Sequence, residues 1–298
     1  MMSRRSFIAA SAAASAPAAA SAWTPAAASP QTGYAPVNGL RLYYEIHGTG
    51  KPLVLLHGGL GATEMFAPVL PVLASARQVI AADLQGHGRT ADIDRPLSLE
   101  TMAGDIAALI QYLKIDKADV MGYSLGGGVA LRTAIQYPEL VRKPVIVSAA
   151  FKRDGWYPEI LAGMAQMSAA AADSMKQTPM YQLYSRIAPR PADWPVLLTK
   201  MGDLLRRDYD WSKEVAAIRA PTLLAFGDAD AVRTAHAVEF FELLGGGKKD
   251  AGWDGSGMSS ARLAIFPGVT HYNVFASPLL ASTVTEFLDA PMPGAKKS

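Results

Sequence analysis

From Leu40 onward the chain alternates short apolar runs with longer stretches patterned for helix, and this alternation constrains the fold more than any other feature. Leu53-Val54-Leu55-Leu56, Val79-Ile80-Ala81-Ala82 and Val120-Met121 are each followed closely by Gly or Asp, as strands buried on both faces often are. Val145-Ile146-Val147, Leu223-Leu224-Ala225-Phe226 and Leu263-Ala264-Ile265-Phe266 continue the series. Between the second and third runs, Ser98 offers a cap for a helix whose Met102, Ile106, Leu109, Ile110 and Leu113 share one face. Strand, crossover helix and strand in this order predict an α/β fold, a mostly parallel sheet with helices on both faces.

The rhythm breaks between about Phe151 and Trp211, where no strand-like run occurs and Met and aromatic residues accumulate. Residues 151–212 are therefore expected to form a helical cap over the C-terminal edge of the sheet, dividing the core into 37–150 and 213–290. Most of these bulky residues suit the interior of a helical subdomain, while Trp156, Met164, Met167 and Tyr181 are candidates to line a pocket. The polar, glycine-rich stretch from Gly245 to Ser260 reads as a surface loop, and 291–298 as a tail.

Half of the 298 residues are hydrophobic and only 18% are charged, which favours a packed core over disorder. The formal charge of +2 includes Arg4 and Arg5, so the body is close to neutral and offers no electrostatic case for nucleic acid. Cysteine is absent, which removes thiol catalysis, disulfides and thiolate metal sites together.

The first residues are a separate case. Ser3-Arg4-Arg5-Ser6-Phe7-Ile8 precedes an alanine- and serine-rich stretch ending in Ala20-Ser21-Ala22, which resembles a twin-arginine export signal with cleavage after Ala22. Pro17 interrupts the short apolar stretch, so stable membrane insertion is not expected. The resemblance implies the export machinery as a partner and a periplasmic or secreted mature protein. Residues 23–36, with Pro25 and Pro30 among small residues, read as a flexible lead-in.

Gly122-Tyr123-Ser124-Leu125-Gly126-Gly127 lies between the strand Val120-Met121 and the helical run Val129-Ala130-Leu131, the context of a nucleophile elbow. So tight a strand-to-helix turn requires small residues two before and two after the serine, and it sets Ser124 at a helix N-terminus that favours developing negative charge. The alternative use of Ser124 is a plain helix cap. His57-Gly58-Gly59-Leu60-Gly61 lacks the lysine and hydroxyl residue of a phosphate-binding loop. Its expected use is to bring the Gly59 N–H opposite Ser124, completing with the Leu125 N–H an oxyanion hole; Leu60 is the alternative donor.

Together with Asp83-Leu84-Gln85-Gly86-His87-Gly88-Arg89-Thr90, Phe226-Gly227-Asp228-Ala229-Asp230 and Gly268-Val269-Thr270-His271, these motifs make the sequence resemble the α/β-hydrolase superfamily over about Leu40 to Leu288. The resemblance implies a triad of Ser124, Asp230 and His271 acting without metal or organic cofactor. Chemistry agrees, because a neutral serine hydroxyl needs a neighbouring base and a histidine base needs a carboxylate to fix its tautomer. Asp228 competes with Asp230, and Asp154 is a third candidate. His47, His57, His87 and His236 occupy positions where histidine is more often structural.

A serine at 124 argues against the dehalogenases and epoxide hydrolases of this fold, which use aspartate. The glycine loop also lacks the proline of many cofactor-free haloperoxidases and the Gly-Pro-Gly tail of many carbon–carbon bond hydrolases. The reading is a serine-dependent carboxylic ester hydrolase for a small or medium neutral apolar ester. A lactonase or carbon–carbon hydrolase with the same triad is the alternative, and a non-catalytic binding protein of the same fold the remote one. Leu60 and Tyr123 are expected to join the substrate wall.

Overall fold

The computed structural model describes residues 29–291, so the export-signal expectation and the tail beyond 291 lie outside the described residues. Asn38 and Gly39, with φ of 47° and 84°, turn strand β1 (Gln31–Val37) back into β2 (Leu40–His47) as a two-residue hairpin. This corrects the lead-in expected over 23–36, since an ordered strand begins at Gln31. Ala35 and Val37 face the core, and Pro36 is tolerated because β1 is an edge strand.

The chain continues through β3 (Lys51–Leu56), helix α1 (Leu70–Ala74), β4 (Arg77–Ala82), α2 (Leu99–Tyr112), β5 (Ala118–Tyr123), α3 (Leu125–Gln136) and β6 (Val141–Val147). Helices α4 (Pro158–Ala165), α5 (Pro179–Ile187) and α6 (Trp194–Arg206) form the cap, followed by α7 (Ser212–Ala217). The core resumes with β7 (Leu223–Ala229), α8 (Thr234–Leu243), β8 (Arg262–Thr270) and α9 (Pro278–Asp289). The sheet order is β1-β2-β4-β3-β5-β6-β7-β8, antiparallel as far as β4 and parallel from there to β8.

Period-2 alternation within the apolar runs feeds both faces. Val54 and Leu56 join the cluster under α2, α3 and the cap, whereas Leu53 and Leu55 join the one under α1 and α9. In α2, Met102, Ile106, Leu109 and Ile110 are fully buried, each contributing roughly 1.5–3 kcal/mol by leaving water. The Ser98 hydroxyl accepts the Thr101 N–H at 3.0 Å and starts that helix as expected. Strand β6 begins at Val141, earlier than the Val145 run, so Pro144 is internal. It pairs with Val120 beside a register shift in β5, where a missing N–H is tolerated.

The cap is tied to the loop that follows β4. Lys200 of α6 donates to Asp92 Oδ2 at 2.5 Å and to the carbonyls of Ile93 and Arg95 at 2.7 and 2.9 Å. Among the described residues no helix is long and apolar enough to cross a membrane.

Candidate active site

The parallel strands end on one rim, and the first residue beyond each is polar. Across the sheet these are Asp83 after β4, His57 after β3, Ser124 after β5, Ser148 after β6, Asp230 after β7 and His271 after β8. The carboxyl end of a parallel sheet is where ligands bind in open α/β folds, because loops there diverge and leave a crevice.

Ser124 has φ of 53° and ψ of −114°, and its side chain caps nothing, which removes the helix-cap alternative. The flanking glycines make this backbone accessible: a Cβ on Gly122 would lie 1.9 Å from the Gly126 carbonyl oxygen, and one on Gly126 would lie 2.2 Å from that of Leu56.

Ser124 Oγ stands 3.1 Å from His271 Nε2, and His271 Nδ1 stands 2.9 Å from Asp230 Oδ1. Asp230 Oδ1 also accepts the Val232 N–H at 3.0 Å. Its Oδ2 accepts the Gly227 N–H at 3.2 Å and the Ser148 hydroxyl. Burial alone would raise the Asp230 carboxyl, but His271, Ser148 and the Val232 N–H outweigh it and hold the group below the ordinary carboxylate range. An ionised Asp230 can only accept, so Nδ1 carries the proton and Nε2 presents its lone pair to Ser124. The His271 ring is held edge-on by Trp156 and Tyr272, each 5.5 Å away between centroids.

The competing residues are elsewhere. Asp228 is exposed and accepts the Val269 N–H at 3.3 Å, and Asp154 is exposed between Lys152 and Arg233. His57 accepts the Leu84 N–H at 3.0 Å, His236 accepts the Phe151 N–H at 3.2 Å, and His47 pairs with Glu45 at 2.9 Å. His87 is fully buried, with Nδ1 2.8 Å from the Gln85 carbonyl.

Gly59 and Leu125 are neighbours, since a Cβ on Gly59 would lie 3.9 Å from that of Leu125. Neither N–H meets an acceptor among the described residues, leaving both available beside Ser124. Leu60 occupies the left-handed position, φ 59°, of the turn closed by Gly61 N–H to Gly58 at 3.1 Å.

A cavity of about 440 Å³ opens above Ser124 and His271. Trp156, Met164 and Met167 line it as expected, joined by Met201, Tyr209 and Trp211 from the far end of the cap. Three expected wall residues do not line it. Leu60 is turned into the core, and Tyr123 points beneath the site, donating its hydroxyl to the His271 carbonyl at 2.7 Å. Tyr181 packs edge-on against Trp194, 5.4 Å between centroids, inside the cap. Met201, Tyr209 and Trp211 were legible only as members of an apolar segment; the core residues Ala149 and Ala150, which also line the cavity, carry no signal of their own. Arg153 and Asp208, 3.7 Å apart, lie on the wall with Glu159 and Arg207, so charges of both signs border it. Among the described residues no group of three or more His, Cys, Asp or Glu stands close enough to hold a metal ion.

With this geometry in hand, comparison with known proteins places the chain. Residues 51–249 match the family described as alpha/beta hydrolase fold. A protein named as a carbamate hydrolase, RutD, from Azorhizobium caulinodans is 29% identical over 208 residues, 64% of this chain and 78% of that one. Several further curated relatives are matched over 36% to 45% of their own length. Among solved structures, carboxylesterase CesB from Bacillus subtilis superposes with a TM-score of 0.67 at 20% identity, covering 88% of this chain and 92% of that one. The enol-lactonase from Burkholderia xenovorans LB400 gives 0.64 at 23% identity, covering 86% and 100%. The chain belongs to the α/β hydrolase fold family.

Proposed function

We propose that the protein is a serine-dependent carboxylic ester hydrolase acting on a small or medium neutral apolar substrate. The observation that carries this reading is the continuous relay from Ser124 through His271 to Asp230 at the floor of a largely apolar cavity. Ser124 Oγ attacks the ester carbonyl carbon while its proton passes to His271 Nε2, within the distance that general-base transfer requires. The tetrahedral oxyanion rests on the Gly59 and Leu125 N–H groups, whose dipoles are fixed before the reaction begins. His271, now imidazolium and stabilised by Asp230, protonates the leaving alcohol. Water then attacks the acyl-enzyme by the same route and releases the acid.

Lactones are cyclic esters and fit the same sequence of steps. The apolar wall of Trp156, Met164, Met167 and Met201 supports acyl groups without formal charge. Each methylene that finds room there contributes up to about 0.8 kcal/mol. The test is kcat/KM for aryl esters from acetate to laurate beside a dicarboxylate half-ester. The expected result is a rise with chain length to a maximum and then a fall. No dependence on length, or preference for the charged ester, contradicts the substrate class. For the precursor, the Ser3 to Ala22 segment supports export through the twin-arginine route and a mature chain beginning at Trp23.

A further inference from the structure

Of the six polar residues on the sheet rim, Asp83, His57 and Ser148 have no step in the reaction above, and of these Ser148 is the one bonded to the relay, lying between Ser124 and Asp230 in the sheet order. It is fully buried and keeps a left-handed backbone, φ 49°, which few residues other than glycine adopt without cost. Its N–H is secured to the Ala225 carbonyl at 2.9 Å, and its hydroxyl donates to Asp230 Oδ2. Neighbouring strand ends are tied in as well, for the Ser124 N–H donates to the Val147 carbonyl at 2.9 Å.

We propose that Ser148 is a positioning residue for the acid, fixing the rotation of the Asp230 carboxylate so that Oδ1 is presented to His271 while Oδ2 is occupied. The inference rests on the serine-hydrolase reading. A carboxylate is two-fold symmetric about its bond to Cβ, and the Gly227 N–H at 3.2 Å is the other donor on Oδ2. Without the Ser148 hydroxyl that oxygen keeps one partner, and rotation away from His271 costs less. The backbone strain serves this placement, because an extended residue at 148 would send its side chain elsewhere.

Ser148→Ala and Ser148→Gly separate this role from a structural one. Ser148→Ala removes the hydroxyl and keeps the strained backbone, whereas glycine accepts φ of 49° freely, so Ser148→Gly removes the hydroxyl together with Cβ and relieves the strain. Both variants are expected to fold, with kcat lowered roughly 10-fold or more and KM little changed. The acidic limb of the kcat/KM profile should move upward by about half a pH unit, because the carboxylate loses a donor to its charged form. A lower melting temperature for Ser148→Ala with kcat and the acidic limb unchanged in both variants overturns the proposal. Labelling of wild-type Ser124 by a fluorophosphonate is the control that distinguishes the two failures. If Ser124 labels and Ser148→Gly turns over at the wild-type rate, the role of Ser148 alone is wrong; if Ser124 never labels, the hydrolase reading and this inference fall together.

Discussion

The thioether methyl of Met201, on cap helix α6, sits against Gly59 of the core: a Cβ on Gly59 would stand 3.0 Å from Met201 Cε. The cap thus roofs the loop that carries Gly59, the first of the two proposed oxyanion donors. Gly59→Ala should lower kcat/KM about 10-fold by displacing that roof, and Met201→Ala in the same chain should recover much of the loss. A double-mutant cycle measures this coupling. Purely additive losses would mean that the two residues act independently.

Asp230 receives His271 and three further donors, whereas Asp228 accepts one N–H at the surface. Asp230→Asn is expected to cut kcat by roughly 10³- to 10⁴-fold, since an amide neither stabilises imidazolium nor enforces the tautomer. Asp228→Asn should stay within a few-fold of wild type. Steady-state kinetics of both variants decide the assignment, and a greater loss at Asp228 reverses it.

Ser124 was legible because its constraint is local: a turn that forbids Cβ atoms at Gly122 and Gly126 writes itself into the sequence, whereas Asp230 and His271 followed from the resemblance. Ser148 was not, since Val147-Ser148-Ala149-Ala150 has no motif and its φ is set by tertiary packing. Tyr123 and Tyr181 were misplaced because closeness in sequence to the elbow, or membership of the cap, does not fix which way a ring points. The start of the sheet was missed for another reason. Gly33 and Pro36 dilute the β pattern in Gln31–Val37, and only pairing with β2 makes that strand.

His236 is buried beneath the entry to the cap, stacked on Phe151 at 4.2 Å, with Glu239 3.8 Å from Nδ1. Lys152, Asp154 and Arg233 are the other charged groups acting on it, and burial lowers its pKa from 6.5 to about 4. Between those values the unfolded chain binds the extra proton, so this stabilisation is complete above pH 6.5 and is lost as pH falls towards 4. His57 and His87, lowered by burial to about 3 and about 4, act in the same direction, while burial pushes Asp83 up to about 6 and opposes them. His236→Gln keeps an acceptor for the Phe151 N–H without a titrating group. Denaturant unfolding from pH 7 to pH 4 should therefore show a slope shallower by up to about 1.4 kcal/mol per pH unit in the variant. An unchanged slope would show that His236 is not held neutral.

Export gives an independent check on the N-terminal reading. Replacing Arg4 and Arg5 together with lysine should retain full-length precursor inside the cell, while the wild-type chain is recovered outside the cytoplasm beginning at Trp23. N-terminal sequencing of the fractions checks it, and unprocessed wild-type protein confined to the cytoplasm contradicts it.

Mass spectrometry after fluorophosphonate treatment, paired with turnover of a short aryl ester, decides whether Ser124 is the nucleophile of the site. One covalent adduct on Ser124 with parallel loss of activity is expected. Folded Ser124→Ala should neither label nor turn over, with kcat reduced by roughly 10⁴-fold or more. Ester turnover near the wild-type rate in folded Ser124→Ala would contradict it.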